Sequence, residues 1–163
     1  MTISGTDFLD PGLAALLDGS RPRRRVFPGE PAQVAHARRF VRRALAGHRA
    51  AADAALLTSE LATNAICHTA SGQGGTFEIV VIRHPAIVRI AVIDAGAPTV
   101  PALAAAGSLD ASGRGLTLVD ALAWRWGHHG NRCGRTVWFE LECPRHDSLT
   151  SGVAQRSRRE ERS

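Results

Sequence analysis

Two consecutive β-rich runs separated by a short turn constrain the fold of this chain more than any other feature. Residues 77–82 and 87–93 consist mainly of Phe, Ile, Val and Ala, and His84-Pro85-Ala86 separates them. Runs of this length on either side of a proline-containing turn are typical of the two strands of a hairpin. Both faces of the pair are largely apolar, so we expect a sheet that is covered on one side and partly buried on the other.

Helical patterns surround this hairpin, and glycine, proline or a capping residue bounds each of them. The predicted helices are at 31–47, with Gly47 as its stop, at 53–69, with Asp53 as N-cap, and from Gly113 onward; further strands are predicted at 126–131 and 134–142. This order of elements predicts an α+β two-layer sandwich, with helices packed on one face of a mixed, mainly antiparallel sheet.

The length of 163 residues and the 44% hydrophobic content fit one globular domain. We predict a flexible segment at 1–25, a folded domain at 26–143 and a disordered arginine-rich tail at 144–163, because the tail has few large apolar residues to bury. No apolar run approaches the roughly 20 residues that span a bilayer. Residues 1–12 contain no basic segment followed by an apolar one, so we expect no secretory signal and a cytoplasmic protein that binds no membrane.

The formal charge of +5 does not by itself indicate a nucleic-acid interface. All 20 basic residues are arginine, and the excess is spread as +1, +2 and +2 over the three regions rather than gathered in one patch. Only 5% of the residues are aromatic, so there is little on which bases could stack. We expect no direct nucleic-acid binding, and binding through the arginine-rich ends is the least favoured alternative. Three cysteines without CxxC spacing predict neither a disulfide framework nor a zinc site.

A polar stripe runs along the second predicted helix. Glu60, Asn64 and His68 are four residues apart, so they share one helix face beside the apolar stripe that faces the sheet. A carboxylate, an amide and an imidazole in line can serve a ligand. Such a pair or triplet is more often a solvated helix face, and both interpretations stay open.

Two glycine-containing motifs follow. Asp94 ends a predicted strand and is followed closely by Gly96, whose lack of a Cβ permits close approach of a ligand. Gly113-Arg114-Gly115 opens a helix, where free backbone N–H groups favour a phosphate. Each motif alone is more often a turn. Their order and spacing, together with the polar stripe, make a ligand site the better interpretation.

The chain resembles a known family in four segments. These are LLTSELATNAICHTA at 56–70, VIDAGAP at 92–98, SGRGLTLVDALAWRWG at 112–127 and GRTVWFEL at 134–141. They are similar to the GHKL-type ATP-binding domain of gyrase, heat-shock chaperones, histidine kinases and MutL-type ATPases. The likeness covers 26–143 and is greatest for the stand-alone bacterial anti-sigma factor serine/threonine kinases.

The resemblance implies a role for each matching residue. Glu60 would be the general base, Asn64 would bind Mg²⁺ through its side-chain oxygen, and Asp94 would accept a hydrogen bond from the adenine amine, with Gly96 permitting close approach. Thr136 would lie near the adenine. The remaining residues expected to contact ATP are His68, Gly113, Arg114, Gly115 and Leu116.

The same resemblance implies a function and partners. The chain would be an ATP- and Mg²⁺-binding regulator that sequesters a sigma factor and phosphorylates a STAS-type anti-sigma factor antagonist, with a homodimer as one possible assembly. The alternative is a nucleotide-responsive binding module without catalysis. It is motivated by the 97–112 lid, which has no lysine or arginine, and by Pro98, which replaces the family's second glycine. The exposed arginines of the first helix are a solvated face or a docking surface for an acidic protein.

Overall fold

The computed structural model describes residues 21–96, 114–131 and 133–143. In chain order the elements are β1 (Arg23–Pro28), α1 (Gln33–Ala44), α2 (Ala51–His68), a single 3-10 turn (Ala70–Gly72), β2 (Thr76–Arg83), β3 (Ile87–Asp94), α3 (Arg114–Leu122), β4 (Arg125–Asn131) and β5 (Gly134–Glu142). β1 therefore begins three residues before the predicted domain boundary at 26. The predicted N-terminal segment up to residue 20, the lid at 97–112 and the tail at 144–163 lie outside the described residues.

The five strands form one open sheet in the order β1-β2-β3-β5-β4. β2 and β3 form the predicted hairpin, and β4 and β5 form a second one, while the segment containing α3 connects β3 to β4. Every pair among these strands is antiparallel, which corrects the expectation of a mixed sheet. The predicted α+β two-layer architecture is confirmed.

α1 separates charge from apolar surface. Ala37, Val41 and Ala44 are buried on the side that faces α2 and the sheet. Its four arginines, Arg38, Arg39, Arg42 and Arg43, are all exposed. Two of them lie in the last turn, where positive charge complements the negative end of the helix dipole.

α2 begins earlier than the sequence indicates. Ala50, not Asp53, is its N-cap residue, and no side chain caps it. The preceding turn already winds toward the helix, because the Ala51 N–H donates to the His48 carbonyl at 3.0 Å. Asp53 therefore lies in the first helical turn, where its negative charge interacts favourably with the positive end of the helix dipole.

All three helices pack on one face of the sheet. The core between the layers includes an aromatic group in which the Phe27 and Phe77 rings stack at 5.4 Å and Phe40 meets Phe27 edge-on at 6.0 Å. The opposite face carries a smaller buried cluster, whose members are Val80, Ile82 and Ala91 with Ile93 and Trp138 beside them. Within the described ranges, no helix combines the length and apolarity needed to cross a membrane.

Candidate functional site

The C-terminal ends of α2 and β3 are joined by the 3-10 turn. The Ala70 N–H donates to the Gly96 carbonyl at 3.0 Å. The fully buried Ser71 hydroxyl accepts from the Ala95 N–H at 2.9 Å and donates to the Thr76 carbonyl at 2.7 Å. These bonds hold the residues after β3 against the end of α2, so the end of the polar stripe and Asp94 lie at the same end of the domain.

The backbone after Asp94 turns sharply at Gly96, which has a φ of 78°. This left-handed conformation is available to glycine at little cost. The Gly96 N–H donates to Oδ1 of Asp94 at 2.8 Å. The glycine that the sequence singled out thus positions the carboxylate directly.

Asp94 is a buried carboxylate with a cationic partner. It is 5% exposed, and its Oδ2 lies 3.1 Å from both Nε and Nη2 of Arg135. Burial raises the pKa of Asp94, while the Gly96 N–H and the Arg135 guanidinium oppose that rise. A carboxylate withdrawn from water in this way is a strong acceptor for a ligand that can reach it.

The polar stripe of α2 is only partly withdrawn from water. Glu60 and Asn64 are half-buried, and His68 is exposed in the last turn of the helix. With a rise of 1.5 Å per residue, the stripe extends about 12 Å along the helix axis. Its side chains remain accessible to a ligand, while the neighbouring Leu57 and Leu61 are buried in the core.

α3 packs against α2. Arg114 and Gly115 form its first turn, and Leu116 is 8% exposed on the side that faces the core. Gly113 lies outside the described residues. The backbone therefore provides a helix N-terminus at this motif, as the sequence indicates, while Leu116 is occupied in core packing.

Thr136 lies on the sheet face opposite to the helices. Side chains alternate along a strand. Val137 of β5 packs in the core beneath the helices, whereas Trp138 belongs to the cluster on the other face. Thr136 and Asp94 therefore lie on opposite faces of the sheet, and Arg135 is the β5 residue directly opposite Asp94.

Arg135 and Ser71 are the two site residues that sequence reasoning missed. For Arg135 a signal is present in the sequence, because Val137, Phe139 and Leu141 are alternate residues of the predicted strand at 134–142, and the same alternation puts position 135 on their face. For Ser71 there was none, because its partner Ala95 is 24 residues away along the chain.

The residues present fit a hard divalent cation with few protein ligands. Asn64 offers an amide oxygen on the accessible face of α2, and an oxygen donor of this kind suits Mg²⁺. The described part of the chain contains no group of three or more His, Cys, Asp or Glu side chains placed to hold a metal. Mg²⁺ bound here would thus complete its shell with water and phosphate oxygens, as it usually does.

Comparison with known proteins agrees with this architecture. The family model described as the histidine kinase-like ATPase domain matches residues 27–141, from the second half of β1 almost to the end of β5. No curated protein gives a significant match. The matched range includes every described helix and all five strands in whole or part. The chain belongs to the histidine kinase-like ATPase domain family.

Proposed function

We propose that this chain is an ATP- and Mg²⁺-binding regulatory protein of the anti-sigma factor type that phosphorylates a serine or threonine of an antagonist protein. The observation that supports nucleotide binding is the buried Asp94 carboxylate, held by Gly96 at the end of β3 beside the end of α2. Family membership makes ATP the first ligand to test.

Each end of the ligand would meet a different part of the site. Asp94 would accept a hydrogen bond from the exocyclic amine of adenine, which gives selectivity for the base. The first turn of α3 would offer N–H groups to the phosphates. Asn64 would direct its amide oxygen to a Mg²⁺ ion, which would neutralise phosphate charge when bound.

Glu60 would act on the attacking group. Its carboxylate, half-buried on the same face of α2 as Asn64, would orient the substrate hydroxyl and accept its proton. The hydroxyl oxygen forms a bond to the γ-phosphorus as the bond from that phosphorus to the β–γ bridging oxygen breaks. ADP leaves and the substrate carries the phosphoryl group. Phosphoryl transfer of this kind depends on positioning and charge neutralisation more than on covalent chemistry.

The partners belong to the same proposal. A sigma factor and a STAS-type antagonist would dock on the surface of the domain, and the four exposed arginines of α1 offer a positive face to an acidic partner. A homodimer is the assembly that we would look for first in solution.

Calorimetric titration of ATP, with and without Mg²⁺, tests nucleotide binding. We expect Mg²⁺-dependent binding that Asp94→Asn abolishes, because an amide cannot replace both acceptor oxygens. Asp53→Asn is the matched control: this exposed residue lies in the first turn of α2, at the opposite end of that helix. Equal binding by the wild type and Asp94→Asn would contradict the assigned site.

A phosphotransfer assay with a co-expressed antagonist tests the catalytic part. We expect Glu60→Gln to bind ATP as the wild type does and to transfer no phosphate. Glu78→Gln is the control, because Glu78 lies on β2, away from the polar stripe of α2, and is paired with Arg24 at 3.0 Å. Undiminished transfer by Glu60→Gln would remove this residue from the mechanism.

A second candidate function is a nucleotide-responsive binding module that transfers no phosphate. The observation that favours it is the absence of arginine and lysine from residues 97–112, which leaves the lid without a cation for the γ-phosphate. This candidate predicts ATP-dependent partner binding with no phosphorylated antagonist. A stoichiometric phosphoserine or phosphothreonine detected by mass spectrometry would exclude it.

A further inference from the structure

A guanidinium from the facing strand holds the Asp94 carboxylate. Asp94 and Arg135 are directly opposite one another in the β3–β5 ladder, and both Nε and Nη2 of Arg135 lie 3.1 Å from Oδ2. The Arg135 side chain is 10% exposed and that of Asp94 is 2% exposed. Arg135 therefore lies inside the candidate site rather than on its rim.

Little accepting capacity is left on the carboxylate. Oδ2 receives a hydrogen bond from Arg135 Nε and lies 3.1 Å from Nη2 in the ion pair, and Oδ1 receives a hydrogen bond from the Gly96 N–H at 2.8 Å. Each carboxylate oxygen accepts about two hydrogen bonds. Oδ1 keeps a direction for another donor, whereas Oδ2 faces the guanidinium. A ligand amine can bind Oδ2 only in place of Arg135.

On the side of β5 away from Asp94, Arg135 is paired with Gly130 of β4. Gly130 has no side chain, and the two backbones approach closely there, because a Cβ on Gly130 would lie 2.7 Å from the Arg135 Cα. β4 therefore contributes no side chain at the position directly opposite Arg135.

We propose that Arg135 competes with the nucleotide base for Asp94, so that the ion pair keeps affinity low in the free chain and opens when the base amine replaces the guanidinium. This inference rests on the proposed nucleotide-binding function. Arg135 is a positioning residue here: it acts on the ligand through Asp94. Its consequence is a site that responds to changes in nucleotide concentration instead of staying saturated.

The test compares two nucleotides in one set of variants. ATP and inosine triphosphate, both with Mg²⁺, are titrated calorimetrically into the wild type, Arg135→Thr and Arg135→Lys, after circular dichroism has shown that each variant is folded. Inosine triphosphate carries a carbonyl oxygen where adenine carries its amine, so it has no donor for Asp94 at that position. Arg83→Thr is the matched control, because this arginine is exposed at the opposite end of the sheet.

We expect Arg135→Thr to bind ATP about tenfold more tightly than the wild type, since hydrogen bonds to a charged group are being released for the ligand. Arg135→Lys, which keeps the charge but loses the planar fork, should give a smaller gain and also serves if the threonine variant does not fold. Neither variant should gain affinity for inosine triphosphate. Arg83→Thr should change neither the dissociation constant for ATP nor that for inosine triphosphate.

Two results would overturn the inference while leaving the proposed function intact. In the first, the wild type binds ATP and both Arg135 variants bind ATP with an equal or weaker affinity. This is the outcome expected of a purely structural ion pair. The other is an equal gain for both nucleotides, because competition for the amine predicts a gain for ATP alone. Failure of every variant, wild type included, to bind either nucleotide would reject the proposed function and this inference together.

Discussion

The Ser71 hydroxyl connects two segments that are far apart in the chain: it accepts from the Ala95 N–H at 2.9 Å and donates to the Thr76 carbonyl at 2.7 Å. Ala95 follows Asp94 directly, and Thr76 begins β2. One buried side chain therefore fixes where β3 ends with respect to the start of β2 and the end of α2. The position of the candidate base-binding carboxylate depends on this small contact.

Ser71→Ala should lower the free energy of unfolding by about 1–3 kcal/mol, because it leaves a donor and an acceptor in a buried place without their partner. It should also weaken ATP binding, since Asp94 is then less well held. Denaturant unfolding and calorimetric titration measure the two effects. Thr63→Ala is the control: its hydroxyl bonds only to the Ser59 carbonyl within α2, and its loss should change stability by less than about 0.5 kcal/mol. Equal stability of the two variants would contradict the role given to Ser71.

The turn that contains Ser71 also requires a glycine for space. A Cβ at Gly72 would lie 1.9 Å from the Ile66 carbonyl oxygen, whereas one at Gly74 would meet nothing within 4 Å. Gly72→Ala should thus cost about 3 kcal/mol or more, because backbone of α2 must move. Gly74→Ala should cost about 1–2 kcal/mol, from its φ of 85° alone. Thermal unfolding measures the loss of stability in each variant. A larger loss for Gly74→Ala than for Gly72→Ala would show that the turn adapts easily to a Cβ at position 72.

The sequence predicted the sheet better than the site. The hairpin and β5 were predicted closely because their apolar residues are locally periodic and turns bound them, as at His84-Pro85-Ala86. The N-cap of α2 was predicted three residues late, at Asp53 instead of Ala50, since a backbone hydrogen bond from Ala51 to His48 extends the helix before the residue that is the better cap by type. Local patterns thus identify elements and leave their ends to tertiary contacts.

In the candidate site, too, local patterns predict some of the residues and tertiary contacts determine the others. Glu60, Asn64 and Asp94 were singled out from local spacing, and the structure places the end of α2 and the end of β3 together. Their roles toward a nucleotide stay predictions. Arg135 carries no motif of its own, because the resemblance points to the neighbouring Thr136, and strand alternation puts these two residues on opposite faces of the sheet. The ion pair depends on a β3–β5 register that no local pattern specifies.

A second ion pair lies on the sheet face opposite the helices. Arg89 Nε is 3.4 Å from Glu140 Oε1, both side chains are less than 10% exposed, and the guanidinium lies 4.0 Å from the centre of the Trp138 ring. Glu140→Leu should cost about 3–5 kcal/mol, because it leaves a buried charge without its counterion. The double variant Arg89→Met/Glu140→Leu should recover most of that loss.

The surface pair Arg24–Glu78 supplies the comparison for this prediction. Its side chains are 37% and 27% exposed, so Glu78→Leu should cost less than about 1 kcal/mol. Denaturant unfolding of all four proteins gives the values. A double variant as unstable as Glu140→Leu alone would mean that the cost comes from repacking and not from the unpaired charge.

The three cysteines should differ sharply in reactivity. Cys67 and Cys133 are exposed, whereas Cys143 is buried and its pKa is raised by that burial. The thiolate is the reactive form, so at neutral pH Cys143 combines a lower thiolate fraction with poor access. A maleimide reagent should label two cysteines rapidly in the folded chain and the third only in denaturant. The double variant Cys67→Ser/Cys133→Ser keeps Cys143 as its only cysteine and should react slowly until it is unfolded. Rapid labelling of this variant in its folded state would show that the end of β5 opens far more readily than its packing indicates.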